Sequence, residues 1–77
     1  SEYIAAYYNR GNAYSKIAKD KLALKDLNKA IDLDNTFYQA YYNRGSVYGR
    51  LGKIELAEKD FKKAKELAKL EIEQSNK

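Results

Sequence analysis

The chain has 77 residues and a formal net charge of +4, which leaves room for one small domain with a marginal hydrophobic core. It contains no cysteine and no histidine, so disulfides and ordinary zinc sites are excluded, the commonest general base is absent, and we expect no cofactor. No apolar run approaches the roughly 20 residues that span a bilayer and no signal peptide is recognisable, so we expect no membrane contact and assign no compartment.

The first half of the chain predicts two helices joined by a short turn. The first is expected over about residues 2–17, because one stripe recurs at helical spacing. That stripe is Ile4, Tyr7, Gly11, Tyr14 and Ile17. Ala18 begins the turn, and Asp20 is predicted to be the N-cap of a second helix over about residues 21–33. The inward face of the second helix is predicted to be Ala23, Leu27, Ala30 and Leu33.

The second half predicts another pair of helices. Thr36 followed by Gln39 fits a capping box at the start of a third helix, over about residues 37–51. Gly52 can adopt the left-handed conformation that ends a helix. The fourth helix is expected from about residue 53 to about residue 74, because no helix breaker precedes Ser75. Its inward face is predicted to be Ala57, Phe61, Ala64 and Leu67.

The two halves of the chain repeat each other. The run YYNRG at Tyr7–Gly11 recurs at Tyr41–Gly45, thirty-four residues later, and many other positions match under the same shift. A fixed period of this length is typical of stacked repeats, in which each unit is one supersecondary element. We therefore expect one all-α domain over residues 1–77, with repeat one at about 4–37, repeat two at about 38–71 and a helical C-terminal extension at about 72–77.

One feature of the repeat predicts a close helix contact. Gly11 and Gly45 lie at the same mid-helix place in both units. Because glycine inside a helix costs about 1 kcal/mol relative to alanine, its recurrence indicates that another helix passes close to each of these positions.

The repeat unit resembles the tetratricopeptide repeat (TPR). The family pattern has an aromatic, a large apolar residue that is usually leucine, a small residue and an aromatic on the first helix, followed by two alanines around a leucine or aromatic on the second; this chain has arginine at the place of that leucine. In repeat one these are Tyr7, Arg10, Gly11, Tyr14, Ala23, Leu27 and Ala30, and in repeat two Tyr41, Arg44, Gly45, Tyr48, Ala57, Phe61 and Ala64. Departures from the family pattern are Tyr for the usual Trp, Ala18 for the first turn glycine, and Asn35 and Lys69 at the usual proline positions. The resemblance implies two stacked antiparallel hairpins with a right-handed superhelical twist.

The resemblance also predicts an ion pair inside each hairpin. Many family members carry arginine at the places of Arg10 and Arg44 together with an aspartate on the second helix, here Asp26 and Asp60. We favour such a structural pair over a role in ligand binding.

In this family the first helices of successive units line a concave groove, which implies a set of candidate ligand-binding residues. They are Tyr8, Asn9, Asn12, Lys16, Gln39, Tyr42, Asn43, Ser46 and Arg50. Tyrosines are good anchors, asparagines can donate to and accept from a peptide backbone, and Lys16 and Arg50 offer positive charge to a carboxylate. We therefore predict a non-catalytic scaffold that binds a protein or peptide. The alternative for Tyr8 and Tyr42 is packing against neighbouring helices.

Other functions fit the sequence less well. The clamp for acidic chaperone tails is matched at Asn12 and Asn43, but Tyr8 replaces its lysine and its fifth helix is missing. Lysines on the last helix suggest nucleic-acid binding, yet glutamates three or four residues before them favour stabilising pairs on a solvated face. No nucleophile–base pair or phosphate loop is present, so we expect no enzyme. The main alternative is a self-assembly module that forms a homodimer.

The sequence also predicts how the array ends. In repeat one, Leu24, Asn28 and Ile31 are expected to pack against the next unit, and the shift of thirty-four residues replaces them with Glu58, Lys62 and Lys65. Because terminal repeats need a polar outer face, we expect the fourth helix to be the C-terminal cap. The N-terminal side, at Tyr3 and Ile4, looks less closed. Two units are fewer than usual, so we expect marginal stability or dimerisation through that side.

Overall fold

The structure is a computed structural model that describes residues 2–76. Within these residues the chain forms four helices and no strand: α1 (Glu2–Lys16), α2 (Asp20–Leu33), α3 (Tyr38–Arg50) and α4 (Ile54–Ser75). α1 packs against α2, α3 packs against α4, and α2 packs against α3. The predicted all-α class with two stacked hairpins and a long last helix is therefore confirmed. The predicted domain limits at Ser1 and Lys77 lie outside the described residues.

The predicted N-cap of the second helix is wrong by one residue. α2 begins at Asp20 and its N-cap is Lys19, whose side chain makes no capping hydrogen bond. The Asp20 carboxylate accepts a hydrogen bond from Arg50 Nη2 at 2.6 Å. The Asp20 carboxylate thus pairs with Arg50 of the next unit and does not cap α2.

The predicted capping box at Thr36 is also wrong. The N-cap of α3 is Phe37, again without a side-chain hydrogen bond. The Thr36 hydroxyl and backbone N–H both donate to Asp34 Oδ1, at 2.7 and 3.0 Å. This local bond from Asp34 holds the turn between the hairpins, and it lowers the pKa of Asp34 because both donors favour the charged carboxylate.

The turns inside the two hairpins share one backbone conformation although their sequences differ. Gly52 has φ of 77°, as predicted, and Ala18 at the equivalent place has φ of 59°. In each turn the next residue, Lys19 or Lys53, donates its N–H to the carbonyl of the tyrosine five residues earlier, at 2.9 Å in both. Ala18 therefore adopts the left-handed conformation although its Cβ makes that conformation sterically unfavourable.

The hydrophobic core lies between the hairpins as well as inside them. One cluster is Ala30, Ile31, Ala40, Tyr41 and Ala64, and the other is Ala23, Leu27 and Val47. Three residues of the predicted inward stripes are instead exposed: Ile17, Leu33 and Phe61. Ile17 lies beyond the end of α1, and Leu33 is the last residue of α2. Phe61 lies on a surface of α4 that no other element covers in the described chain.

The close approach predicted at the two mid-helix glycines is confirmed. A Cβ on Gly11 would lie 3.0 Å from Leu27 Cγ and 3.2 Å from the Asp26 Cβ. A Cβ on Gly45 would lie 2.9 Å from Phe61 Cε1 and 3.2 Å from the Ala57 carbonyl oxygen. Glycine thus lets α1 and α2, and likewise α3 and α4, approach closely.

α4 is the longest element of the fold. Its 22 residues span about 33 Å, whereas the 13 residues of α3 span about 20 Å. The uninterrupted last helix predicted from the sequence is confirmed, and its end projects beyond α3. No helix in residues 2–76 has the length and apolarity required to cross a lipid bilayer.

Candidate functional site

Both predicted arginine–aspartate pairs are present and have the same geometry. Arg10 Nε and Nη2 donate to the two Asp26 carboxylate oxygens at 2.7 Å each. Arg44 Nε and Nη2 donate to the Asp60 oxygens at 2.8 and 2.7 Å. These bonds raise the pKa of both arginines above the ordinary value, so both stay charged. Each pair joins the two helices of one hairpin, which confirms the structural role.

The two pairs differ in how well they are covered. The Arg10 side chain is 59% exposed, whereas that of Arg44 is 19% exposed. Arg44 lies at the junction between the hairpins, where its Nη1 donates to Asn28 Oδ1 at 3.0 Å. Asn28 thus connects the second pair to repeat one, and the exposed Arg10 marks the side on which the described chain has no preceding unit.

A polar network connects α1 and α3. Asn43 Nδ2 donates to Asn12 Oδ1 at 2.7 Å and to the Tyr8 hydroxyl at 3.0 Å. Within residues 2–76 no protein hydrogen bond uses the other half of either amide, which leaves Asn12 Nδ2 as a donor and Asn43 Oδ1 as an acceptor. Three of the nine candidate residues are therefore brought together, with one donor and one acceptor available to a ligand.

Arg50 is engaged within the fold. Its Nη2 donates to Asp20 Oδ1 at 2.6 Å and to Ser15 Oγ at 2.9 Å. Asp20 therefore already neutralises the positive charge that the sequence offered to a ligand carboxylate. Because Ser15 and Asp20 belong to repeat one, Arg50 instead fixes the end of α3 against the first hairpin.

The remaining candidates lie on the same two helices without forming a cluster. Lys16 is exposed at the end of α1, and Asn9 and Gln39 are exposed within α1 and α3. The Ser46 hydroxyl donates to the Tyr42 carbonyl of its own helix at 3.3 Å. The structure thus offers these side chains at the surface and shows no contact that commits them to a ligand.

The two tyrosines that repeat each other have different environments. Tyr8 is half-buried against Phe37, with ring centroids 4.6 Å apart. Tyr42 is 57% exposed and contacts Phe61 of its own hairpin, with centroids 5.3 Å apart. The shift of thirty-four residues takes Phe37 to Glu71, which lies within α4 and not in a turn. Tyr8 is therefore packed against its neighbour while most of Tyr42 is exposed, and ligand binding by either tyrosine stays a prediction.

An apolar surface beside Tyr42 was missed in the sequence. It is an open trough of about 450 Å³, which we call the end trough, lined by Tyr38, Gln39, Tyr42, Phe61, Ala64, Lys65 and Ala68. The sequence predicted Phe61 as a core residue because it lies on the inward stripe of the fourth helix, but its equivalent Leu27 is fully buried and Phe61 is not. The signal that could have found the trough is the replacement of Phe37 by Glu71 under the repeat shift, since Phe37 covers the equivalent surface of repeat one.

The helices, hairpin contacts and hydrogen bonds define a helical-repeat protein, and comparison with known families identifies which kind. The model described as tetratricopeptide repeat matches residues 38–69, and the model described as TPR repeat matches residues 19–52. The chain belongs to the tetratricopeptide-repeat family. No curated protein matches it.

Repeats of this family generally mediate protein–protein interactions and are typically non-catalytic scaffolds. The repeat limits at 4–37 and 38–71 stay a prediction, because the second match runs from α2 into α3 and so crosses the boundary between the units.

Proposed function

We propose that the chain binds an extended segment of a partner protein on the concave face formed by α1 and α3. The observation that carries this proposal is the pair Asn12 and Asn43, which are bonded to each other at 2.7 Å and still offer one donor and one acceptor. Each residue of an extended chain likewise carries one N–H and one C=O, and these two groups point to the same side of the chain. The pair can therefore bind the N–H and C=O of one ligand residue by a complementary acceptor and donor.

The hydrogen-bond network preorganises Asn12 and Asn43 for binding. Asn43 is held by Asn12 and by the Tyr8 hydroxyl, and Tyr8 is itself packed on Phe37. Side chains that are already ordered lose less conformational entropy when a ligand binds. The contacts among these residues thus favour binding although they use part of their hydrogen-bonding capacity.

Tyr42 supplies the anchor for an apolar side chain of the ligand. It precedes Asn43 in α3 and exposes more than half of its surface. Lys16 contributes the positive charge that Arg50 does not, because Arg50 is paired with Asp20. We assign Asn9, Gln39 and Ser46 to the rim of the site.

The test uses a peptide selected from a random-sequence display library. Asn12→Asp keeps an acceptor for Asn43 Nδ2, but it replaces the donor group proposed to meet the ligand with a charged carboxylate oxygen. We expect it to weaken peptide binding about tenfold, which corresponds to about 1.4 kcal/mol and lies within the range for one hydrogen bond. Tyr42→Ala should weaken binding at least as much.

Tyr3→Ala is the matched control, because Tyr3 is 74% exposed on α1 and is not among the candidate residues. Melting temperature and calorimetry are measured on every variant. A peptide that binds the Asn12→Asp and Tyr42→Ala variants as tightly as the unchanged protein would show that the concave face is not the site.

Self-assembly remains the second candidate function, and one observation favours it. Ala6 and Ala13 on α1 are exposed, whereas Ala40 and Val47, their equivalents on α3, are fully buried against α2 and its neighbours. The face of α1 that carries Ala6 and Ala13 is therefore exposed, whereas the equivalent face of α3 is buried. Sedimentation between micromolar and millimolar concentration distinguishes the two functions, because a dimer through α1 must disappear on dilution and on Ala6→Glu substitution.

A further inference from the structure

The chain contains its own example of a helix docked on a hairpin. α3 lies on a surface formed by α1 and α2, where Phe37 packs on Tyr8 and Val47 on Leu27. At the edge of this surface Arg44 donates to Asn28. The contact thus consists of aromatic and aliphatic packing with one polar bond that fixes the register.

Repeat two presents the same surface without an occupant in the described chain. The end trough takes its apolar atoms from Tyr42, Phe61, Ala64 and Ala68. Tyr42 is 57% exposed and Phe61 is 38% exposed, whereas Leu27, the equivalent of Phe61, is fully buried under α3. The charged cap predicted for α4 is therefore incomplete: Glu58, Lys62 and Lys65 are exposed as expected, but an apolar trough lies beside them.

The charges around the trough select among occupants. The shift of thirty-four residues takes Asn28 to Lys62 and Ile31 to Lys65. A second copy of this chain that docked as α3 does would place Arg10, the equivalent of Arg44, against Lys62. Two cations at one contact repel each other, whereas an acidic side chain there pairs with Lys62.

We propose that the end trough binds an amphipathic helix of a partner protein that carries an acidic side chain opposite Lys62. An aromatic residue of that helix packs on Tyr42 as Phe37 packs on Tyr8, and small apolar residues pack along Phe61 and Ala68. This surface shares Gln39 and Tyr42 with the proposed concave-face site, but it takes a helix in place of an extended segment and does not include Asn12. A second copy of the chain fits less well, because its Arg10 would meet Lys62.

The test uses two synthetic peptides that copy the docked helix of this chain. Both carry the sequence of residues 36–52 with a fluorescent label and a side-chain crosslink that stabilises the helix. One keeps arginine at the position of Arg44 and the other has the Arg44→Glu change. We expect the glutamate peptide to bind the unchanged protein about 3–10-fold more tightly, by fluorescence anisotropy at low salt, since an exposed ion pair contributes modestly.

The protein variant Lys62→Glu provides the decisive comparison. It should invert the preference, so that the arginine peptide binds more tightly than the glutamate peptide. A peptide that displaced α3 from repeat one would meet Asn28 and would be insensitive to this change. Ala68→Arg should block the trough and abolish binding of both peptides, while Asn12→Asp should leave their affinities unchanged, which separates this site from the concave face.

Three outcomes overturn the proposal. They are equal binding of the two peptides, a preference that survives Lys62→Glu, and no binding of either peptide at millimolar concentration. Sedimentation of the unchanged chain gives a fourth. Self-association that Ala68→Arg abolishes would make a second copy the occupant.

Discussion

The close approach at Gly11 can be measured with a matched pair of glycine-to-alanine changes. Gly11 lies inside α1 with Leu27 Cγ at 3.0 Å from the position of an added Cβ, while Gly49 lies in α3 with nothing within 4 Å. Both changes improve helix propensity, by up to about 1 kcal/mol. Only Gly11→Ala also forces atoms into a filled contact, and overpacking of a core costs about 1–3 kcal/mol.

The structure indicates that the contact at Gly11 cannot relax easily. Leu27 is fully buried, and the second neighbour, the Asp26 Cβ at 3.2 Å, belongs to a carboxylate held by Arg10. We therefore expect Gly49→Ala to stabilise the protein and Gly11→Ala to be less stable than Gly49→Ala by about 1–3 kcal/mol. Gly45→Ala should also be less stable than Gly49→Ala, because the Phe61 ring that it meets can move but the Ala57 carbonyl oxygen at 3.2 Å belongs to the backbone of α4.

The assay is thermal and urea unfolding followed by far-ultraviolet circular dichroism. In a domain of this size each kcal/mol shifts Tm by about 4–8 °C, so the difference between the two variants is readily resolved. Equal native ellipticity shows that the helices are retained. If Gly11→Ala stabilises the protein as much as Gly49→Ala does, α1 and α2 are not in close contact at Gly11 and the hairpin geometry is wrong.

Three further predictions concern the turns and the end of the array. Ala18→Gly should raise the free energy of unfolding by about 1 kcal/mol and Gly52→Ala should lower it by a similar amount, as measured by urea unfolding, because both positions have positive φ and a Cβ at Gly52 would meet no other atom. Thr36→Val should raise the pKa of Asp34 towards the ordinary aspartate value in a carboxyl NMR titration, because it removes the hydroxyl donor that favours the charged carboxylate. The stability that these bonds contribute is present above the ordinary aspartate pKa and is lost as pH falls through the lowered pKa. Unchanged titration would contradict this assignment. A triple change that copies the internal surface onto α4 should drive association at micromolar concentration in sedimentation, and a variant that stays monomeric would show that α4 does not carry a stacking face. The three substitutions are Glu58→Leu, Lys62→Asn and Lys65→Ile.

The sequence was sufficient for the features that recur in both units. The helices follow from local periodicity, the mid-helix glycines from their recurrence, and the ion pairs of Arg10 and Arg44 from the resemblance to the family. These interactions form within one hairpin, between residues whose spacing in the chain is the same in each copy. A residue pattern that occurs in both repeats therefore corresponds to the same contact in both hairpins, as the ion pairs and the glycine contacts show.

Only the tertiary structure decided the features in which the two copies differ. Tyr8 and Tyr42 are the same residue in the same motif, yet one is covered by Phe37 and the other is exposed beside Phe61. Arg50 was expected to face a ligand, but it pairs with Asp20 thirty residues earlier. A side chain's environment at a junction depends on which unit lies against it. The surface of the first hairpin is covered by α3, whereas the equivalent surface of the second hairpin is not covered in the described chain. That difference in coverage, which no property of the individual residue encodes, leaves an apolar trough exposed at the end of the second repeat.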